Sequence, residues 1–310
     1  MFYNTVMILG IKVGPQPQSF LDLETANPPF AEVWFNIEKK DEVYPELFAE
    51  MKKRSMQVGL HFWGRTTDGT WTNICHSDTE LVHESMSLIT ETIDIAARNG
   101  FAYVNIHPSN RAKCRINFET HIIEPFTEPL PEDLSENIFI EHATKLHEYA
   151  TARGVVLTVE TAPPKETRDW TNPAGRGAAY DIYTLDNRML MTLAQKGIAI
   201  ANDFGHTVCS LTTNDRPSIM TYLTAMTRDL APMTRLIHLG YVVPPYSGCD
   251  FHDHLDNPIF DTTAAIPNKQ EMKQLLTQFK NRTDVWVLVE PNGRHPENYQ
   301  FAKDLLATII

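Results

Sequence analysis

Short apolar runs alternate with longer amphipathic stretches along nearly the whole chain. In the middle of the sequence the alternation becomes a repeated unit: an amphipathic stretch, a basic or polar residue, a glycine, then an apolar run. Ala96-Ala97-Arg98-Asn99-Gly100 leads into Phe101-Ala102-Tyr103-Val104-Asn105-Ile106-His107. Ala150-Thr151-Ala152-Arg153-Gly154 leads into Val155-Val156-Leu157-Thr158-Val159-Glu160. Leu193-Ala194-Gln195-Lys196-Gly197 leads into Ile198-Ala199-Ile200-Ala201-Asn202-Asp203. Glycine just past a helix closes it in a left-handed cap, and a basic residue there complements the negative end of the helix dipole. The runs that follow are β-branched-rich and suit strands covered on both faces, as parallel sheets require.

Extended along the chain, the pattern predicts strands near 5–11, 32–37, 57–62, 102–107, 155–160, 198–203, 235–239 and 285–290. It predicts helices near 79–99, 135–153, 185–196, 217–230, 268–281 and 297–309, with Leu81, Ile89, Ile93 and Ala96 near one face of the first. Eight alternating units predict an α/β fold, a closed parallel (β/α)8 barrel. An open doubly wound sheet is the rival topology. The segment Gly10-Ile11-Lys12-Val13-Gly14-Pro15 after the first strand lacks the GxGxxG spacing that such sheets carry. No linker divides the 310 residues, which fit one barrel domain with loop insertions. The insertions, 109–131 and 242–267, both follow strand C-termini, where barrels place substrate loops.

Composition narrows the setting. Hydrophobic residues make up 42% and charged residues 21%, ordinary for a soluble globular chain. Cys75, Cys114, Cys209 and Cys249 are widely spaced with no CxxC, so they read as reduced structural thiols of a cytoplasmic protein. The N-terminal apolar run Val6-Met7-Ile8-Leu9 has no basic flank or small-residue cleavage site and reads as a strand. No stretch approaches the roughly 18 apolar residues of a membrane span. The formal net charge of −12 and the lack of a basic cluster disfavour an extended nucleic-acid contact.

The chemistry sits at the strand ends. His61, His107, Glu160, His238 and Glu290 each close an apolar run, and the sixth run ends in Asp203-Phe204-Gly205-His206. One such residue by itself reads as a hydrogen-bonded core group. Six consecutive strands ending in ligand-type side chains instead point to a divalent ion, because buried carboxylates need a countercharge. Oxygen and imidazole donors together suit Mn²⁺, Zn²⁺, Fe²⁺ or Co²⁺. His76, His121, His142, His147 and His295 read as surface or loop residues.

These strand-end motifs resemble the xylose-isomerase-like TIM barrel superfamily, which contains sugar isomerases and epimerases, related dehydratases and endonuclease IV enzymes. The resemblance implies Glu160, Asp203, His238 and Glu290 as the metal set, with Asp203-x-x-His206 and Asn105-x-His107-Pro108 as matching motifs. For the epimerase branch it implies an enediolate mechanism on a small sugar, keto-sugar or polyol, with Glu160 and Glu290 as acid and base and His206 holding a substrate oxygen. Glu166 matches a substrate-contacting glutamate, though an exposed loop acid is an equal reading. Trp63 would pack a sugar face or simply the core. Arg294 and Lys165 are candidate anion contacts.

That branch places an arginine six residues past the strand-seven histidine. Pro244 stands there in this chain, within a remodelled loop from Tyr241 to Gly248. For the endonuclease IV branch, the resemblance implies three zinc ions and phosphodiester hydrolysis at abasic DNA sites, with His61, His107, Asp250 and His252 as additional ligands. The glycine-rich turn of those enzymes is replaced by Ala162-Pro163-Pro164-Lys165-Glu166. A lyase acting on a keto-cyclitol or keto-acid uses the same enolate logic as the first branch. The expected partner is a small carbohydrate, with no nucleic acid or membrane, and a homo-oligomer remains open.

Overall fold

The computed structural model describes residues 7–120, 122–167, 179–248 and 250–309, so His121 and Cys249 lie outside the described residues. Eight strands form a closed, all-parallel barrel in chain order: β1 (Ile8–Val13), β2 (Phe30–Asn36), β3 (Gln57–Trp63), β4 (Tyr103–Ile106), β5 (Val156–Glu160), β6 (Ala199–Asp203), β7 (Thr234–Leu239) and β8 (Trp286–Val289). This is the (β/α)8 barrel that the alternation predicts.

Nine helices surround the barrel among the described residues: α1 (Pro17–Ala26), α2 (Tyr44–Lys53), α3 (Thr79–Asn99), α4 (Glu132–Thr151), α5 (Met189–Gln195), α6 (Phe204–Cys209), α7 (Arg216–Leu230), α8 (Lys269–Leu276) and α9 (His295–Ala307). The repeated sequence unit has a local cause. In α3, the Asp78 carboxylate accepts from the Glu80 and Leu81 amides at the start, and Gly100 ends the helix at φ 71°. Gly154 and Gly197 take φ of 72° and 83° before β5 and β6, a region that costs a residue with a Cβ. The pattern does not predict α1, α2 or α6.

Two strand boundaries differ from the expected ones in a way that matters. β1 runs on to Val13, two residues past its predicted end, and β2 begins at Phe30, two residues before its predicted start. Lys12 and Glu32 therefore lie inside strands, paired with each other in the register.

Inward-facing side chains stack in tiers, because alternate residues of a strand share a face. The lower tier holds Phe30, Tyr103, Ala201, Leu236 and Leu288, which pack as one buried apolar cluster. Gly10 and Gly59 complete it without side chains: a Cβ on Gly10 would overlap the Phe30 ring, and one on Gly59 would overlap the Tyr103 ring. Two residues further along the chain from each of these come Lys12, Glu32, His61, Asn105, Asp203, His238 and Glu290.

Both insertions rise from the C-terminal ends of strands. The 109–131 segment carries an antiparallel pair, Cys114–Ile116 with Ile123–Pro125. In the 242–267 segment, Val242 bridges Ile266 and draws the ends of the loop together. No helix among the described residues is long and apolar enough to cross a membrane. Cys75, Cys114 and Cys209 are free and buried, and burial pushes the Cys114 thiol up to about 12.

Candidate metal centre

The C-terminal ends of the strands enclose a cavity of about 790 Å³. Of the charged tier, Lys12, His61 and Glu290 line it, and Glu32, Asn105, Asp203 and His238 are buried behind them. Three sets of side chains there have donor atoms within 4.8 Å of one another: His61, His107 and Glu160; Glu160, Asp203 and His238; and Glu32, His238 and Glu290. Glu160 and His238 each belong to two sets, so the donors form one continuous cluster.

Glu160 is fully buried at the end of β5. Its Oε1 lies 3.0 Å from His238 Nδ1, and its Oε2 lies 3.5 Å from the Nε2 atoms of both His61 and His107. The Asn105 amide donates to Oε2, while Thr158 Oγ1 donates to Asn105 Oδ1 at 2.8 Å. Asp203 plays two parts: Oδ2 is 3.6 Å from His238 Nδ1, and Oδ1 caps α6 by accepting from the His206 amide at 2.7 Å. Burial acts to raise the Glu160 and Glu290 carboxyls, but the histidines around Glu160, and His238 with Lys12 beside Glu290, hold both well below the usual carboxylate range.

A further group adjoins the cluster. Asp250 Oδ2 lies 3.2 Å from His206 Nε2 and 2.8 Å from His252 Nε2. His206 Nδ1 is 2.7 Å from the Thr161 carbonyl, and His252 Nδ1 is 2.7 Å from the Glu290 carbonyl. A carbonyl only accepts, so each ring carries a proton on Nδ1 and turns Nε2 toward Asp250. Anchoring one ring nitrogen in this way is how proteins preset a histidine for a metal on the other. Nitrogen and carboxylate donors, converging and held by outer partners, fit a divalent ion.

The cavity walls differ by side. Trp34, Trp63, Trp71, Ile116, Phe118 and Ile123 line one, and Trp63 stacks on Trp71 with centroids 5.9 Å apart. Asp22, Glu166, Asn292 and His295 belong to the polar remainder.

No family model and no curated protein matches the chain. Solved structures do. An L-ribulose 3-epimerase aligns at TM-score 0.65 with 14% identity, covering 98% of this chain and 95% of that one. Endonuclease IV from Thermus thermophilus aligns at 0.58 with 14% identity, covering 97% and 99%. A 3-keto-D-glucoside 4-epimerase from E. coli aligns at 0.56 with 15% identity, covering 98% of each. The chain has the xylose-isomerase-like TIM barrel fold.

Within this xylose-isomerase-like barrel, the strand-end residues His61, His107, Glu160, Asp203, His238 and Glu290 come together, with His206, Asp250 and His252 beside them. Glu166 is buried in the cavity wall, and burial with Asp250 nearby pushes its carboxyl up to about 8. Trp63 joins the aromatic wall. Arg294 does not face the cavity: it is exposed and pairs with Asp256, 2.6 Å away at the closer contact. Lys165 pairs with Asp181 at 3.4 Å. His295, expected on the surface, lines the cavity instead, because α9 begins at the cavity rim. Sequence reasoning missed Lys12 and Glu32. The one available signal was their position two residues beyond Gly10 and Phe30, in step with the other strands.

Proposed function

We propose that the protein is a divalent-metal-dependent isomerase or epimerase of a small sugar, keto-sugar or polyol, with Mn²⁺ as the first candidate ion. The observation that carries this reading is the linked cluster of Glu160, Asp203, His238 and Glu290, of which Glu290 lines a cavity of small-molecule size. The neighbours titled as sugar epimerases are consistent with it. A bound divalent ion would supply chelation of a carbonyl and its adjacent hydroxyl, acidifying the C–H between them. Glu160 and Glu290 would then move the proton, and His206 would hold a substrate oxygen. The aromatic wall gives an apolar face against which a sugar ring can pack.

The test is solvent exchange. Ketoses incubated with Mn²⁺-loaded protein in D2O should gain deuterium beside the carbonyl, read by NMR. Glu160→Gln and Glu290→Gln should each lower that exchange by about 10²-fold or more. Exchange at the wild-type rate in both variants removes the two-carboxylate mechanism.

One observation favours a second reading, metal-dependent phosphodiester hydrolysis. Glu160 is shared by two donor sets, and Asp250 beside them contacts both His206 and His252, an arrangement suited to several ions. The net charge of −12 weighs against a DNA duplex as substrate. Roughly three Zn²⁺ per chain together with nicking of abasic duplex DNA would establish the second reading over the first.

A further inference from the structure

Strand β1 delivers an ammonium into the donor cluster. Lys12 is buried, its Nζ donates to Glu32 Oε1 and Glu290 Oε1, and it lies 2.5 Å from His61 Nδ1. Glu32 and Glu290 are also two of the three members of one donor set, His238 being the third. The ammonium therefore holds the same carboxylates that an ion in that set would need. The two sets that share Glu160 contain neither Lys12 nor Glu32.

We propose that Lys12 is a built-in cation that closes the Glu32–His238–Glu290 corner to divalent ions and confines them to the donors around Glu160. The inference rests on the metal-binding reading above, with Glu160, Asp203 and His238 holding the ion and Glu290 left to its acid–base part. An ammonium and a divalent ion on the same oxygens would repel strongly in so buried a place. Glu32 is fully buried, with Tyr103 Oη donating to its Oε2 at 2.7 Å and His238 Nε2 lying 3.2 Å from its Oε1. It needs a countercharge, and Lys12 supplies it permanently. With the ammonium donating to its Nδ1, the His61 ring carries its proton on Nε2, which faces Glu160 Oε2 at 3.5 Å, so the ion is left to Glu160, Asp203 and His238.

The experiment counts ions. Protein stripped with chelator is reloaded with Mn²⁺ or Zn²⁺, and the bound ions per chain are measured by mass spectrometry and titration calorimetry. Lys12→Met should bind one ion more than the wild type and gain more in Tm when metal is added. Lys12→Arg should match the wild type, and Lys12→Met combined with Glu32→Gln should return to the wild-type count. Equal counts in folded Lys12→Met and wild type overturn the proposal. If stripped Lys12→Met unfolds, refolding on added metal with the extra ion supports the proposal, and failure to refold overturns it. A wild type that binds no ion removes the metal-binding reading. An ion gained by Lys12→Met in that case still upholds the role of Lys12, and none in either protein sinks both.

Discussion

Two residues along a strand separate Phe30 from Glu32, Gly59 from His61, Leu236 from His238 and Leu288 from Glu290. The first member of each pair belongs to an apolar tier packed tightly enough that two strands contribute no side chain. The second belongs to a tier of ionisable groups. Their nearness is what gives the upper tier its chemistry. A dry floor directly beneath the carboxylates and imidazoles excludes water from below and strengthens every charge interaction above it. The lower tier thus acts on function through packing, and the upper tier through charge. Substitutions in the two should fail in different ways.

Asp203→Asn should show the largest effect. Asparagine keeps the N-cap on α6, so the fold is retained, but the anionic donor is gone. Turnover should fall by about 10³-fold with little change in Tm. A variant within tenfold of the wild type would mean that the upper tier does not act through its charges. Gly59→Ala should fail in the opposite sense. Its Cβ would meet the Tyr103 ring, and the overpacking should cost about 3 kcal/mol, read from the denaturation midpoint. A loss under about 0.5 kcal/mol would show that the floor is looser than its geometry implies.

The contrast between tiers also explains what the sequence disclosed. His107, Glu160 and Glu290 were legible because each directly follows an apolar run and breaks it. The eight-strand barrel was legible because Gly100, Gly154 and Gly197 punctuate the repeat. Lys12 was not, since Ile11-Lys12-Val13-Gly14-Pro15 places one lysine next to strong turn residues and the strand looks finished. Glu32 fell at a predicted strand start, where a polar residue draws no notice. What joins the two is the β1–β2 register, a tertiary fact. Arg294 misled for a related reason: its charge was visible, but its outward pairing with Asp256 depends on how the loop before α9 turns.

Tyr103 belongs to both tiers, and so gives the finest test of their separation. Its ring fills the space left by Gly59, while its hydroxyl donates to Glu32 Oε2. Tyr103→Phe keeps the ring and deletes only that donor, leaving Glu32 with Lys12 and His238. A hydrogen bond to a buried carboxylate sets the expected loss at about 2 kcal/mol, below that of Gly59→Ala. Ion affinity should fall by about tenfold as well, because Glu32 orients His238 from behind. A loss of stability as large as that of Gly59→Ala, without any change in ion affinity, would mean that the ring had shifted and that floor and cluster cannot be perturbed independently.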